Sequence, residues 1–354
     1  MTRNLGEFDY GMIRRTVEWS AEGDFHEVLE EANNQLAVAR FRRFCNEHPD
    51  RTLMLSAFDR LSTVRGARFA TAPECIQLLS TSEKAHTILA ALAYEATSQR
   101  TELRPEDIGL WSITGAAWIE DEDGVLRMRA APILSNGVPV DFESPWTRTA
   151  MNEISGDDLP FGPSDQRQIF SKIEAAIGLI DQFSREAAAL VARYCNVIVI
   201  RRDSLPSNFT SATTRSAPGR IVLRNPHALG ANIHALADGL VHEAIHAMID
   251  RLEQFFPLVP AGLERVRCRS PWTGRDLDLR TYLHACFIWY GLWKLWLGDP
   301  GPSQPKSNFY ASRALGGFIG QSILVPLGLE RARLAPSLIR TLDAMQEDIA
   351  RDIA

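Results

Sequence analysis

Two histidines and a glutamate lie close together in an otherwise apolar stretch, GLVHEAIHAMIDRLE, at residues 239–253. His242, Glu243 and His246 have the spacing H-E-x-x-H. On an α-helix, residues four apart are about 40° apart around the axis, so the two histidines can bind one metal ion together. Glu243 can then reach a water on that ion or support a ligand. Neutral imidazoles bind both zinc and iron, so the motif predicts a metal site and leaves the metal open.

A third ligand would decide the chemistry of this site. The metzincin extension requires Gly and His at positions that Ile249 and Leu252 occupy, which excludes that class of metallopeptidase. A gluzincin site needs a glutamate on a following helix, and Glu264 stands at a plausible distance, although Cys268 replaces the Asp typical of that class. His284, in the apolar stretch RTYLHACFIWYGLW, is the better match. A lone His on an apolar helix is often only a core residue, but two ligands already require a third.

The first part of the chain reads as helices followed by a hairpin. Apolar residues recur at three- and four-residue spacing in residues 24–48 and 72–100, which predicts helices. Residues 108–134 contain two extended apolar runs around an Asp-Gly turn, typical of a β-hairpin, and an Asn-Gly turn with a further strand follows. Residues 144–165 are rich in Pro, Gly and Asp and are the candidate linker.

The second part of the chain has the element order of a metal-binding domain. A helix with a Ser N-cap signal is predicted over residues 164–195, followed by the strands NVIVIRR and GRIVLRNP, the motif helix and the helix carrying His284. The predicted fold is therefore α+β and helix-rich, with a zincin-like strand and HExxH helix and a small hairpin or sheet. We expect an N-terminal region, residues 1–160, that could contribute to peptide binding, and a catalytic region, residues 161–354.

Composition restricts the function classes. The 354 residues carry a formal net charge of -6, which argues against a nucleic-acid-binding or membrane-coating role. The five cysteines are scattered without a CxxC pair, which is typical of free thiols in a reducing compartment. The N-terminal residues lack an apolar signal segment, and the apolar His284 region is too short and too polar for a membrane span. A cytoplasmic enzyme is the expectation; the oligomeric state is left open.

Four segments together resemble a bacterial enzyme family. They are HEAIH at residues 242–246, S-P-W at 270–272, L-H-A at 283–285 and, less specifically, SRALGGF at 312–318. In this combination the chain, over roughly residues 205–325, is similar to the HExxH-motif peptide-modification proteins. These are regarded as α-ketoglutarate-dependent peptide β-hydroxylases that accompany ribosomally made peptide natural products.

The resemblance implies an Fe(II) ion held by His242, His246 and His284, with α-ketoglutarate and O2 as cosubstrates and a precursor peptide as substrate. Glu243 would then orient a ligand or a water instead of acting as a proteolytic base. The distal carboxylate of α-ketoglutarate needs a cation, and a guanidinium fits it best. The candidate arginines, in order of sequence-based preference, are Arg280 and Arg275, then Arg313.

Three hypotheses remain open from the sequence. The first is the Fe(II)/α-ketoglutarate oxygenase acting on a peptide. The second is a zinc metallopeptidase in which Glu243 is the general base for a metal-bound water. The third is a non-catalytic binding protein with a structural metal. A histidine third ligand, His284, favours the first over the second, and an intact HExxH disfavours the third.

Overall fold

The computed structural model describes residues 8–20, 25–79, 85–97, 103–105, 112, 117–143, 160–203, 208–213, 215–298 and 304–353. Its helices are α1 (Gly11–Val17), α2 (Phe25–Glu47), α3 (Arg51–Asp59), α4 (Thr63–Thr71), α5 (Pro73–Leu79), α6 (Ala85–Thr97), α7 (Pro163–Phe183), α8 (Arg185–Tyr194), α9 (Ile233–Leu252), α10 (Leu279–Leu297), α11 (Gln304–Leu315) and α12 (Pro336–Asp352), with a 3₁₀ helix at Val325–Arg333. Its strands are β1 (Ala117–Glu122), β2 (Val125–Ala130), β3 (Val140–Asp141), β4 (Val197–Arg201), β5 (Thr210–Ala212), β6 (Arg220–Arg224), β7 (Arg267–Arg269) and β8 (Asp276–Asp278). The architecture is α+β and helix-rich, as predicted.

The chain divides into two compact units, each assembled from separate segments. The motif unit comprises Met1–Phe25, Ile177–Val191 and Ala237–Ala354, and the sheet unit comprises His26–Ala176 and Ala192–Leu236. The predicted division near residue 160 remains a prediction. Of its candidate linker, residues 144–159 lie outside the described residues, and the last part overlaps the start of α7.

The sheet unit contains a four-stranded sheet with the order β3-β4-β6-β5. Strands β4 and β6 are parallel, and β5 pairs with β6 in the antiparallel direction at one end of the sheet. All five residues of β4 are buried, as are the first four of β6. The apolar runs at residues 197–200 and 221–223 are typical of parallel strands covered on both faces. The two strands predicted before the motif helix are confirmed.

The predicted hairpin is also confirmed in the sheet unit. Strands β1 and β2 pair antiparallel, with Glu122 opposite Val125. The two turn residues, Asp123 and Gly124, have φ angles of 55° and 80°. A two-residue turn with both φ values positive matches the right-handed twist of the strands, and Asp-Gly adopts it readily.

The helical part of the sheet unit is built around a separate apolar core. Aromatic rings from α2, α3 and α4 form its centre, with Phe41 lying 4.5 Å from Phe58 and 5.6 Å from Phe69 between ring centroids. The helix predicted over residues 72–100 is represented by α5 and α6, and residues 80–84 between them lie outside the described residues.

The helix predicted over residues 164–195 is interrupted at Ser184. Helix α7 ends at Phe183, and α8 begins at Arg185. The Ser184 hydroxyl accepts the backbone N–H of Ala187 at 3.1 Å, so this serine caps the second helix. The apolar periodicity continues through the break, which is why it reads as one helix in the sequence.

Two apolar helices, α9 and α10, carry the candidate metal ligands in the motif unit. Helix α10 begins after Asp278, whose Oδ1 accepts the backbone N–H of Thr281 at 2.9 Å, and ends before Gly298. It is buried around most of its circumference, and a helix that is apolar all round belongs to a protein core or a membrane. Among the described residues, no helix combines the length and apolarity needed to cross a membrane.

Candidate metal centre

His242 and His246 lie one turn apart on α9, as their spacing predicts. Their ring centroids are 5.1 Å apart, and both side chains are half-buried. The neighbouring residues Val241 and Ile245 are fully buried, so the packing of the helix fixes the direction in which the imidazoles project. Glu243 is only 3% exposed and lies on a more enclosed face of the same helix.

His284 lies directly beside His246. The two Nδ1 atoms are 3.0 Å apart, the ring centroids are 5.1 Å apart, and His284 is fully buried. Two nitrogen ligands that are each about 2.1 Å from one ion and about 90° apart are separated by about 3.0 Å, so this pair fits two neighbouring ligands of one metal. The structure therefore brings the three predicted histidines together in sequence order, His242, His246 and His284, with matching ring separations.

The two α9 histidines are held in the form that binds metals. Burial, together with the positive charge of Arg313, lowers the pKa of His242 to about 4. Burial also holds the pKa of His246 well below its ordinary value, with His242, His284 and Arg280 adding to the effect. Imidazole must be neutral to coordinate a metal, so at neutral pH no proton has to be displaced from these rings.

A carboxylate lies on the far side of His284. The Nε2 atom of His284 is 3.1 Å from Glu253 Oε2, which also accepts the Arg280 Nε–H at 2.5 Å. Arg280 in turn pairs with Asp250. Burial acts to raise the pKa of Glu253, but the hydrogen bond and charge of His284, together with the charge and hydrogen bond of Arg280, bring it below its ordinary value.

These same residues present a second arrangement of potential ligand atoms. One atom each from Asp250, Glu253 and His284 lies within 4.8 Å of the others. The guanidinium of Arg280 already bonds both carboxylates and occupies the position where a cation would balance them. The arrangement is therefore better described as support behind His284 than as a separate metal site.

The alternative third ligand, Glu264, has a different environment. It is exposed, and its two oxygens accept the backbone N–H of Gly262 at 3.0 Å and 2.9 Å. These hydrogen bonds from the backbone of its own turn lower the pKa of Glu264. They also account for the position of the Glu264 carboxylate without a metal ion. His284, which contacts His246, is thus the third-ligand candidate that the surroundings favour.

The three candidate arginines occupy distinct positions. Arg280 is engaged by Asp250 and Glu253, and Arg275 is exposed in the turn between β7 and β8. Arg313, on α11, pairs with Asp238, and its guanidinium carbon lies 5.1 Å from the ring centroid of Trp289. The assignment of a cosubstrate-binding arginine remains a prediction.

Asp238 fixes Arg313 close to the histidines. It precedes His242 by one helical turn, which places the two side chains on the same face of α9. Its Oδ2 pairs with Arg313, and its Oδ1 accepts the Trp296 Nε1–H of α10 at 2.9 Å. One buried carboxylate therefore connects α9, α10 and α11 beside the candidate site.

An aromatic wall, Trp289 and Trp272, adjoins His242. The Trp289 ring meets His242 edge-on at 5.9 Å and stacks on Trp272 at 6.1 Å, and both indoles are half-buried. The Trp272 Nε1–H donates to the Ala314 carbonyl at 2.7 Å. The S-P-W and SRALGGF segments of the sequence thus contact each other in the folded chain.

Replacing Gly317 by alanine is expected to destabilise this wall. A Cβ at Gly317 would overlap the Trp272 indole, so the ring must move. We expect a loss of about 1–3 kcal/mol in the free energy of unfolding and a changed near-ultraviolet circular dichroism spectrum. Gly316→Ala is the matched control, because a Cβ there meets only carbonyl oxygens at 3.5 Å. Equal stability of the two variants would contradict the packing role of Gly317.

Three acidic residues of the site were not singled out from the sequence. Asp250 and Glu253 follow His246 by four and seven residues, which puts them on its side of the helix, and Asp238 precedes His242 by four. The signal was therefore present as helical spacing. Their partners, Arg280 and Arg313, are separated from them by many residues, and no local pattern indicates those pairings.

Comparison with known proteins adds no further assignment. No family model matches the sequence, and no curated protein matches it with significant similarity. The function proposed for the chain therefore rests on the histidine cluster and its surroundings, together with the HExxH, S-P-W and L-H-A segments.

Proposed function

We propose that this chain is an Fe(II)- and α-ketoglutarate-dependent oxygenase that hydroxylates a peptide side chain, at Cβ, in a ribosomally made precursor peptide. The observation that carries the proposal is the 3.0 Å approach of the His246 and His284 Nδ1 atoms beside His242. These three histidines would hold the iron. When bound, iron and α-ketoglutarate supply the oxidation in which O2 converts a C–H bond to C–OH while the keto acid becomes succinate and CO2.

The chain's own groups suit this chemistry in two ways. The ligand set is made of neutral imidazoles, so a dianionic cosubstrate would balance the charge of a divalent ion. The half-buried rings of Trp289 and Trp272 beside His242 offer an apolar surface for the aliphatic part of a substrate side chain. A zincin-like arrangement of the site belongs to the same proposal, supported by the chain order in which β6 precedes α9.

Arg313 is the arginine that the surroundings favour for the distal carboxylate of α-ketoglutarate. Its guanidinium contacts Trp289, whose ring meets His242, and pairs with Asp238, one turn before His242 on α9. Arg280, preferred from the sequence, is already bonded by two carboxylates. Arg313 has a single aspartate partner and a side chain that is 43% exposed, so a second carboxylate can approach it.

The zinc metallopeptidase is the second candidate, because Glu243 adjoins His242 as a peptidase base would. The low exposure of Glu243 beside half-buried histidines is less suited to activating a water for an external peptide. The test is to load the protein anaerobically with Fe(II) and add α-ketoglutarate, watching for a weak visible charge-transfer band. Admission of O2 should then give slow succinate formation even without peptide. If neither the charge-transfer band nor succinate is seen, and the zinc-loaded protein cleaves peptides, the protein is a peptidase instead.

Glu243→Gln should distinguish the two candidates further. As an oxygenase, the variant should keep its metal and a substantial part of its succinate formation, because no proton has to pass to Glu243. In a peptidase the same change removes the general base, which is worth about 10²- to 10⁴-fold in rate. The measurement is turnover at matched metal content. Near-total loss of turnover with metal still bound would argue for the peptidase.

A further inference from the structure

We propose that Glu253, held by Arg280 and Asp250, is a positioning residue that makes His284 bind metal through Nδ1 and supplies negative charge behind it. This inference rests on the proposed metal site and deepens it. The starting observation is the contact between His284 Nε2 and Glu253 Oε2 at 3.1 Å, on the opposite edge of the ring from His246.

The contact selects the tautomer of His284. Glu253 Oε2 also accepts the Arg280 Nε–H, and a carboxylate oxygen paired with a guanidinium can only accept, so a neutral His284 ring must carry its proton on Nε2 to make this contact. The lone pair is then on Nδ1, which faces His246 Nδ1 at 3.0 Å. Histidine ligands commonly donate their second ring N–H to a carboxylate in this way, which orients the ring and raises its basicity.

Glu253 is itself fixed in position. Its Oε2 accepts from Arg280 Nε at 2.5 Å, and its Oε1 accepts the backbone N–H of Leu258 at 3.4 Å. Arg280 is anchored on its other side by Asp250. The carboxylate therefore cannot rotate away from His284 without breaking several hydrogen bonds.

Glu253, Arg280 and Asp250 form a chain of paired charges behind His284, called the relay below, and its net charge favours a cation at the histidines. Two carboxylates, Asp250 and Glu253, and one guanidinium, Arg280, leave a net formal charge of -1 behind His284. Three imidazoles alone carry no negative charge to balance a divalent ion. In a buried, weakly screened environment, a carboxylate one ring away from the ion stabilises it. Arg280 thus has a role in the metal site that does not involve the cosubstrate.

The test uses Co(II) as the probe metal and the full-length chain. Competition with a chelator measures the Co(II) affinity of wild type and of Glu253→Gln, which keeps the shape of the side chain but removes its charge. We expect the affinity to fall about 10- to 100-fold. Glu330→Gln, in which a half-buried glutamate loses its pairing with Arg333, is the matched control and should bind Co(II) like wild type.

A second measurement needs no substitution. Long-range ¹H–¹⁵N correlation spectra of metal-free wild type, labelled only at histidine, should show the Nε2–H form as the neutral tautomer of His284. The Nδ1–H tautomer would overturn the proposal, and this result decides it if Glu253→Gln does not fold. Unchanged Co(II) affinity in a folded Glu253→Gln, or no Co(II) binding by wild type, would also overturn it.

The outcomes separate this inference from the proposed reaction. Weaker Co(II) binding by Glu253→Gln together with no succinate formation by the iron-loaded wild type would support the relay and reject the oxygenase. Succinate formation by wild type with unchanged Co(II) affinity in Glu253→Gln would support the oxygenase and reject the relay.

Discussion

Replacing His284 by leucine is expected to lower the affinity of the protein for Fe(II) by more than about 100-fold, since loss of a direct ligand should exceed the effect of losing a supporting residue. Leucine fits the apolar helix α10 and fills a similar volume, so the fold should be retained. Succinate formation should be lost with the metal. The measurement is the Fe(II) affinity from anaerobic chelator competition, with circular dichroism as the check on folding.

His227→Leu provides the control for this substitution. His227 is exposed and follows β6 in the sheet unit, so the same chemical change there should leave Fe(II) affinity unaltered. Retention of wild-type affinity by His284→Leu would contradict the three-histidine site and return attention to a carboxylate ligand.

Local sequence patterns predicted most individual elements correctly. The Asp-Gly pair predicted a hairpin turn, and the structure has one, with positive φ angles at Asp123 and Gly124. The apolar runs of NVIVIRR and GRIVLRNP predicted two strands, and the structure has β4 and β6 there. In each case the signal lies within a few neighbouring residues.

Two kinds of feature could not be predicted from local sequence patterns: a helix break that a side-chain cap causes, and contacts between residues far apart in the chain. The apolar periodicity across Ser184 is uninterrupted, and only the side-chain cap on Ala187 shows that two helices are formed. The motif unit combines segments from both ends of the chain with an internal one, and no change in composition marks these boundaries in the sequence.

The candidate site shows the same limit. Helical spacing was enough to put His242 beside His246, and the apolar context of His284 was enough to make it a third-ligand candidate. The role of each arginine was not predictable, because it is decided by pairing with acids far away in sequence. Arg280 lies one turn before His284 and was preferred on that ground, yet Asp250 and Glu253 engage it.

Arg313→Leu is expected to weaken α-ketoglutarate binding by about 30-fold, equivalent to about 2 kcal/mol, while leaving Fe(II) affinity close to wild type. The physical reason is that the guanidinium can pair with the distal carboxylate beside Trp289, whereas leucine leaves that carboxylate without a cation. Arg313→Lys should give an intermediate loss, because the charge remains and the two-pronged hydrogen bonding does not. The measurement is anaerobic titration of the charge-transfer band with α-ketoglutarate.

The matched control for Arg313→Leu is Arg331→Leu, which removes an arginine of similar exposure, 47% against 43%, that is also paired with an aspartate. It should leave cosubstrate affinity unchanged. Arg275→Leu and Arg280→Leu test whether either of these arginines binds the distal carboxylate of α-ketoglutarate instead. If Arg280 acts through Glu253, Arg280→Leu should change the metal affinity more than the affinity for α-ketoglutarate. A loss of cosubstrate affinity in Arg275→Leu that equals or exceeds the loss in Arg313→Leu would contradict the Arg313 assignment. The three-histidine site would be unaffected by that result, because His242, His246 and His284 are placed by α9 and α10 independently of any arginine that binds the keto acid.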